Sequence, residues 1–340
     1  MHLREILTRP LAVGPVSLPN RVMLAPMSGV SDKPFREIAA RFGAGLVVSE
    51  MVASDQLVTG HPETVMRAEK AGDGPHVVQL AGREVHWMAA GARVSTEAGA
   101  DIIDINMGCP AKKVTSGYSG SALMRDLDNA ERLIEATVTA THLPVTLKMR
   151  LGWDDATQNA PELARRAEAC GVRMVTVHGR TRCQFYGGEA DWAAIRRVKE
   201  SVSIPVIANG DCDSFDDIEP MLRLSGADGV MIGRGAYGRP WFPGHAVVWA
   251  TSGEAPVEPS GAALVGLVVA HYEAILAHYG EILGVRCARK HLGWYMDRVA
   301  GRSAAAGALR AAILTETRPK EVIRLTIAFF TEREAGRIAA

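Results

Sequence analysis

Several short apolar runs of this chain end on residues that a core would not choose. The run ends carry Pro26-Met27, Gln79, Asn106, Lys148, His178, Asn209-Gly210-Asp211 and Gly233-Arg234. A lysine in such a place sets a cation over a ligand that gathers negative charge. Gln79 and His178 offer an amide and an imidazole to the polar edge of a heteroaromatic ring. ANGD (208–211) and IGRG (232–235) combine glycines, whose N–H groups can approach an anion, with the planar donor fork of Arg234. Cys109 lies between Gly108 and Pro110, directly after one of the runs, where a thiol can act as acid, nucleophile or ligand. Each residue also has a plainer reading. The glycines can make turns, Lys148 can pair with Asp104, and a free cysteine is usually a small buried hydrophobe, as suits Cys170 and Cys212. Polar groups or glycines at six of these seven run ends favour one shared site.

Such a site needs a frame that brings distant run ends together. The runs are 21–27, 46–51, 76–82, 102–108, 145–150, 174–180, 205–211 and 229–235. They are rich in Val, Ile and Leu without strict alternation, as parallel strands buried on both faces are. Helical periodicity fills the intervals at 33–42, 84–98, 129–141, 161–169, 192–202 and 215–224. Ser31, Asp128, Asn159, Asp191 and Ser214 stand where N-caps are needed, and Gly43, Gly99, Gly171 and Gly226 where helices end. Eight strand–helix units predict an α/β fold, a (β/α)8 TIM barrel, whose strand ends share one face. Strand starts lie 24–31 residues apart, except for a gap of 43 after Ile102. The surplus, AKKVTSGYSGSALMRD, follows Cys109, and long loops after barrel strands are where chemistry sits.

The pattern changes near Gly244. GEAPVEPSG (253–261) reads as a linker, and helical segments follow at 262–279, 285–299, 303–314 and 319–334. The expected organisation is a barrel over 1–245 and a small C-terminal α-helical bundle over 246–340. The chain has 38 Lys and Arg against 38 Asp and Glu, so overall charge points to no partner. Yet residues 261–340 hold 11 basic against 7 acidic side chains, and the other 260 hold 27 against 31. The neutral total hides a basic tail. Its cations Arg286, Arg289, Lys290, Arg298, Arg302 and Arg310 are interleaved with His291, Trp294 and Tyr295. Five dispersed cysteines without Cys-x-x-Cys argue against a disulfide framework or structural zinc. Met1–Pro10 lacks the apolar stretch of a secretory signal, and the apolar run 262–270 is short of the ~20 residues of a membrane span. A cytoplasmic protein is expected, without metal or membrane, and as a monomer.

APMSGVSDKPFR (25–36), DINMGCP (104–110), LKMRLGW (147–153), VHGRTR (177–182), ANGD (208–211) and MIGRGAYGRPW (231–241) together resemble the tRNA-dihydrouridine synthases, most nearly the bacterial B-type group. RKHLGWY (289–295) carries the resemblance into the tail. It implies an oxidoreductase acting on a CH–CH group, with FMN as cofactor and NADPH or NADH as reductant. The substrate would be tRNA, at the C5–C6 bond of a D-loop uridine. By motif, Pro26, Met27 and Ser28 would lie along the flavin and Gln79 at its polar edge. Lys148 would stand at its N1–O2 side with His178 nearby. Asn209, Gly210, Asp211, Gly233 and Arg234 would hold the ribityl phosphate. Asn106 would touch the uracil. Hydride would pass from flavin N5 to C6, and Cys109 would give the proton to C5. A thiol of ordinary pKa ~8.5 is mostly protonated at neutral pH and can do so. Unstacking the uridine costs a few kcal/mol, which a basic surface must repay. Arg286, Arg289 and Lys290 are the candidates for that surface.

A dihydroorotate or dihydropyrimidine dehydrogenase would share the FMN logic, but a small substrate needs no basic helical tail. A Schiff-base lyase using Lys148 would need no flavin. A non-catalytic RNA-binding barrel would need neither Cys109 nor Lys148.

Overall fold

The computed structural model describes residues 3–299 and 304–334. Eleven strands are present among the described residues: β1 Leu11–Val13, β2 Val16–Leu18, β3 Val22–Leu24, β4 Leu46–Val47, β5 Val52–Ala53, β6 Val77–Ala81, β7 Ile102–Met107, β8 Val145–Arg150, β9 Met174–His178, β10 Val206–Asn209 and β11 Gly229–Ile232. Strands β3 to β11 form one parallel sheet that curls on itself. The first barrel strand pairs with the last, Leu24 beside Ile232, and β3 also pairs with β4. A bridge from Val48 to Val77 closes the remaining seam. The second barrel strand is interrupted, so β4 and β5 together stand where one run was expected at 46–51. The result is the expected barrel, with α-helices between its strands.

Side chains two apart along a strand share a face. The inward phase runs Val77 to Gln79, Ile102 to Asp104 to Asn106, Thr146 to Lys148 to Arg150, and Ile207 to Asn209. Register confirms the rows: Gln79 stands beside Asp104 and Asp104 beside Thr146, while the next row sets Asn106 beside Lys148. The lower rows are apolar. Met23, Leu46, Val48, Val77, Ile102, Met174, Ile207 and Met231 form one buried cluster with Leu11, Val13 and Leu18 of the β1–β2 hairpin. The hairpin therefore seals the barrel floor. Only the upper rows are polar, so the strand ends named from sequence crown an apolar plug.

Three of the expected helix caps are displaced. Asp32, not Ser31, accepts from the N–H of Phe35, and Asp126, not Asp128, accepts from that of Asn129. In both cases the acceptor must sit three residues before the donor. Asp217, not Ser214, precedes the helix Ile218–Ser225, and its carboxylate instead binds the Ser214 hydroxyl and N–H. Asp191 caps as expected, whereas Asn159 holds its position without a side-chain cap bond, its amide donating instead to the Met124 carbonyl at 2.7 Å.

The chain divides into two compact units. One runs to Gly235 and resumes over Trp241–Ala255; the other takes Ala236–Pro240 and the chain from Pro256 onward. The division thus falls ten residues beyond the expected 245. The helix Phe242–Ser252 belongs to the barrel unit, where Phe242 packs against Phe215 at 5.3 Å. The second unit holds helices Gly261–Tyr279, Glu281–Val299, Ala304–Thr315 and Pro319–Glu334. Gly284 lets the first two approach: a Cβ there would lie 2.9 Å from Leu276 Cα. Gly261–Tyr279 is long and apolar enough to cross a membrane by length and composition. It buries Leu264, Leu267, Val268, His271, Tyr272 and Ile275 within this unit.

Candidate active site

The turn after β7 carries Cys109. Its N–H donates to Asn106 Oδ1 at 2.9 Å, and its carbonyl accepts from the Ser121 hydroxyl at 2.8 Å. The cysteine is thus pinned from both sides. Gly120 makes room for the returning loop: its φ is +59°, and a Cβ would meet the Cys109 carbonyl at 2.9 Å. The long insert resolves into the helix Lys112–Thr115 and a 3-10 turn over Gly120–Arg125. Burial raises the Cys109 thiol above its ordinary pKa, against the Ala111 N–H and the charges of Arg150 and Lys148. The thiol keeps its proton at neutral pH.

Lys148 lies one strand over. Its ammonium donates to Asn209 Oδ1 at 3.1 Å, and Asn209 in turn donates to the Met231 carbonyl at 2.8 Å. Among the described residues it makes no ion pair with Asp104, the partner considered from sequence. Burial and the Arg150 charge bring Lys148 down to about 8, against Asp104 and Cys109. It remains mostly cationic at pH 7. His178 is driven well below the usual imidazole range by burial, helped by Arg150, Lys148, Arg180 and Arg234. It is neutral there.

Two arginines that the sequence reading did not single out brace the mouth. Arg150 is 1% exposed and donates to the carbonyls of Gly108, Thr181 and Phe185 at 2.8–2.9 Å. It ties the Cys109 turn to the loop after β9. Arg180 is 1% exposed. It grips Asp211 through two bonds of 2.6 and 2.7 Å and also holds the carbonyls of Gly187 and Gly188. Its charge is spent inside the protein. Among the described residues three non-glycine residues have left-handed backbone, Tyr118, Phe185 and Asp211, and all lie in loops at this mouth. Such conformations cost of order 1–3 kcal/mol and concentrate at functional sites.

The ends of β10 and β11 form a candidate anion cradle. Among the described residues no hydrogen bond engages the N–H of Gly210 or Gly233. A Cβ on Gly233 would make only ordinary contacts of 3.8 Å with Ala25 and Met27, so packing does not demand this glycine. The exposed Arg234 is held by Asp211 at 3.0 Å and lies 5.4 Å over the Tyr186 ring. Asp211 accepts from Arg180, Arg234 and the Ala190 N–H. Burial would raise its carboxyl, but these partners outweigh it and hold it below the ordinary value. A saturated carboxylate orients the cradle; it does not itself receive an anion. The free N–H groups, Arg234 and nearby Lys148 suit a phosphate with an electron-rich ring beside it, as FMN has.

The other sequence candidates fall into two groups. Pro26, Met27 and Ser28 form the turn after β3, fixed by the Ser31 hydroxyl at 2.7 Å from the Met27 N–H and by Glu50, which takes the Gly29 N–H. Gln79, 1% exposed, is committed to Asp104 and Asn106. Asn106 spends its oxygen on the Cys109 turn. In the helical unit Arg286 is exposed, while Arg289 and Lys290 line a cleft of about 290 Å³ with Gly293, Trp294, Asp297, Arg310 and Leu314. Arg310 pairs with Asp297. Tyr295 and His291 are 2% exposed and belong to the bundle core, where Tyr295 meets His271 Nδ1 at 2.9 Å. Trp294 stacks on Tyr237 at 3.9 Å. Arg302 lies outside the described residues.

Residues 23–332 match the sequence profile described as Dihydrouridine synthase (Dus). The chain belongs to the dihydrouridine synthase family. It is therefore an enzyme of an oxidoreductase family. It is 59% identical to a probable tRNA-dihydrouridine synthase of Rhizobium leguminosarum bv. phaseoli, over 90% of this chain and 94% of that protein. It is 49% identical to tRNA-dihydrouridine synthase B of Xanthomonas axonopodis pv. citri, over 84% of this chain and 86% of that one. Among solved structures, histamine dehydrogenase from Rhizobium sp. 4-9 superposes with a TM-score of 0.58 at 16% identity. That match covers 80% of this chain, which spans about half (51%) of the larger protein. TcOYE with pHBA superposes with a TM-score of 0.54 at 13% identity, over 76% of this chain and 96% of that one. These two likenesses support the barrel fold of this chain.

Proposed function

We propose that the protein is an FMN-dependent tRNA-dihydrouridine synthase that reduces the C5–C6 bond of a D-loop uridine with NADPH. The observation that carries the reading is the convergence of three groups at one barrel mouth. They are a protonated, pinned Cys109, a cationic Lys148, and the glycine and arginine cradle at Gly210, Gly233 and Arg234. The relatives' names point to the same reaction.

When bound, FMN supplies the hydride it has taken from NADPH. The chain's own residues do the rest. Gly210, Gly233 and Arg234 hold the phosphate, oriented by Asp211. Pro26, Met27 and Ser28 flank the ring. Lys148, aimed by Asn209, offsets negative charge, and neutral His178 adds a hydrogen-bonding edge. Asn106 keeps an N–H for the uracil. Cys109 gives its proton to C5 as hydride reaches C6, so the C5–C6 double bond is consumed. The balance is uridine, NADPH and a proton in, dihydrouridine and NADP+ out. Arg286, Arg289 and Lys290 hold tRNA phosphates. We place the enzyme in the cytoplasm as a monomer.

Mass analysis of tRNA from cells lacking the gene tests this directly: one D-loop dihydrouridine should disappear and return with the wild-type gene. An unchanged dihydrouridine map would refute the reading. Chromatography of flavin released from the purified protein should yield FMN; FAD, or no flavin, would refute the cofactor assignment.

A further inference from the structure

Beneath the mouth runs a chain of hydrogen bonds with a single direction. Asp104 is 5% exposed on the inward face of β7. Its Oδ1 accepts from the Thr146 hydroxyl at 2.6 Å, and its Oδ2 from Gln79 Nε2 at 2.6 Å. Gln79 Oε1 accepts from Asn106 Nδ2 at 2.8 Å. Asn106 Oδ1 accepts from the N–H groups of Cys109 and Gly108 at 2.9 and 3.2 Å. Register makes the chain possible: Gln79, Asp104 and Thr146 share a row, and Asn106 stands two residues above Asp104 on the same face.

A carboxamide can be turned end for end without changing shape, so two in series have no direction of their own. Their direction comes from the ends. The top end is two backbone N–H groups, which only donate. The bottom end is an oxygen of Asp104 facing an N–H. If that acceptor is lost, Gln79 Nε2 is left in a buried site without its partner, and the amide is held only by the bond it accepts from Asn106. An amide that shifts to satisfy its freed NH2 loosens its hold on Asn106, and with it the hold of Asn106 on the Cys109 turn. Burial raises the Asp104 carboxyl, against the bonds from Thr146 and Gln79 and the Lys148 charge. A proton there would settle on Oδ1, since the Thr146 hydroxyl can accept as well as donate. Oδ2 would still accept.

We propose that Asp104 is a positioning residue for Cys109, acting through Gln79 and Asn106 to hold the Asn106–Pro110 turn in place. The proposal rests on the reading of Cys109 as proton donor only for its kinetic consequence, not for its geometry. It separates polarity from charge, because an asparagine at this position can still accept from Gln79 while its NH2 faces the Thr146 oxygen.

The test compares Asp104→Asn with Asp104→Leu in the full chain. Two quantities are read: alkylation of Cys109 by iodoacetamide, followed by peptide mass, and reoxidation of the reduced enzyme by tRNA. Asp104→Asn should stay within about 3-fold of wild type in both. Asp104→Leu should change Cys109 alkylation at least 5-fold and slow reoxidation by about 10-fold or more. Equal behaviour of the two variants would overturn the proposal, whether through lost charge or through no effect. Altered alkylation with normal reoxidation would uphold the positioning role and remove the acid role of Cys109. If Asp104→Leu does not fold, Gln79→Met interrupts the chain one bond later and must show the same alkylation change. If neither apolar variant folds, the network serves the barrel as a whole and the assignment to Cys109 fails.

Discussion

The barrel mouth and the helical unit both present cations, yet they hold them in opposite ways. At the mouth Arg150 and Arg180 are buried, and each is spent on carbonyls or a carboxylate. Lys148 is aimed by Asn209, and Arg234 by Asp211. In the helical unit the pairs are local and exposed: Arg310 with Asp297, Arg318 with Glu316, Arg324 with Glu321. Arg286 projects into solvent. Exposed pairs of this kind are worth about 0–1 kcal/mol and fade in salt. The difference teaches what each surface must do. A reaction needs groups already fixed where charge will develop. Attraction to a polyanion needs only a field. Substitutions at the mouth should therefore alter single steps sharply, and those on the helices should alter binding gradually.

The largest effect should come from Cys109→Ala. Reduction by NADPH should proceed near the normal rate, while reoxidation by tRNA should slow about 10²–10⁴-fold, the usual worth of a general acid. Stopped-flow flavin absorbance reads both steps. Equal slowing of the two would move Cys109 from proton donor to structural residue.

Lys148→Met should lower the flavin reduction potential and slow reduction by NADPH; an unchanged potential would break the assignment. The flavin-free protein gives a second reading. Lys148 titrates at about 8 in the fold against an ordinary 10.5. Between those values the unfolded chain binds the extra proton, so wild-type stability should rise with pH relative to Lys148→Met. The gain over that window is up to about 3 kcal/mol. Urea unfolding of both proteins at pH 7 and pH 10 would show it, and parallel curves would deny it.

The mildest effect belongs to the helices. Replacing Arg286, Arg289 and Lys290 together with Ala should flatten log affinity for tRNA against log salt by about 2–3, at roughly 0.7–0.9 per phosphate contact. Flavin content and reduction by NADPH should not move. An unaltered slope would dissolve the contrast between the two regions and send the search for RNA contacts to Lys112, Lys113 and Arg182.

The barrel was legible because its strand runs and helix periodicity repeat. Cys109, Lys148 and the two glycine-rich ends could be found from their places in that repeat. Asp104 and Arg150 were equally within reach, since each lies two residues from a recognised neighbour and so shares its inward phase. Arg150 closes the run 145–150 and Asp104 entered only as a partner for Lys148, so neither was assigned to the mouth. Arg180 could not be read so simply. Its burial depends on Asp211, which is distant in sequence and reaches it only through a left-handed backbone turn. Tyr295 looked like part of a basic-aromatic face because helix 281–299 has aromatics on several sides; only packing against His271 assigns it to the core. The floor hairpin was invisible, as three-residue strands are too short to show a period.

That hairpin sets a condition on how the chain is made. Leu11, Val13 and Leu18 leave the ribosome long before their packing partners Met174, Ile207 and Met231. The β3–β11 seam has the same delay. The hairpin must therefore wait, exposed and without its final neighbours, until nearly the whole barrel has been synthesised. Contacts so distant in sequence slow folding and lengthen exposure to aggregation. A growing chain stopped before Ile232 has neither floor nor seam complete, and the nascent barrel is most vulnerable just before its last strand emerges.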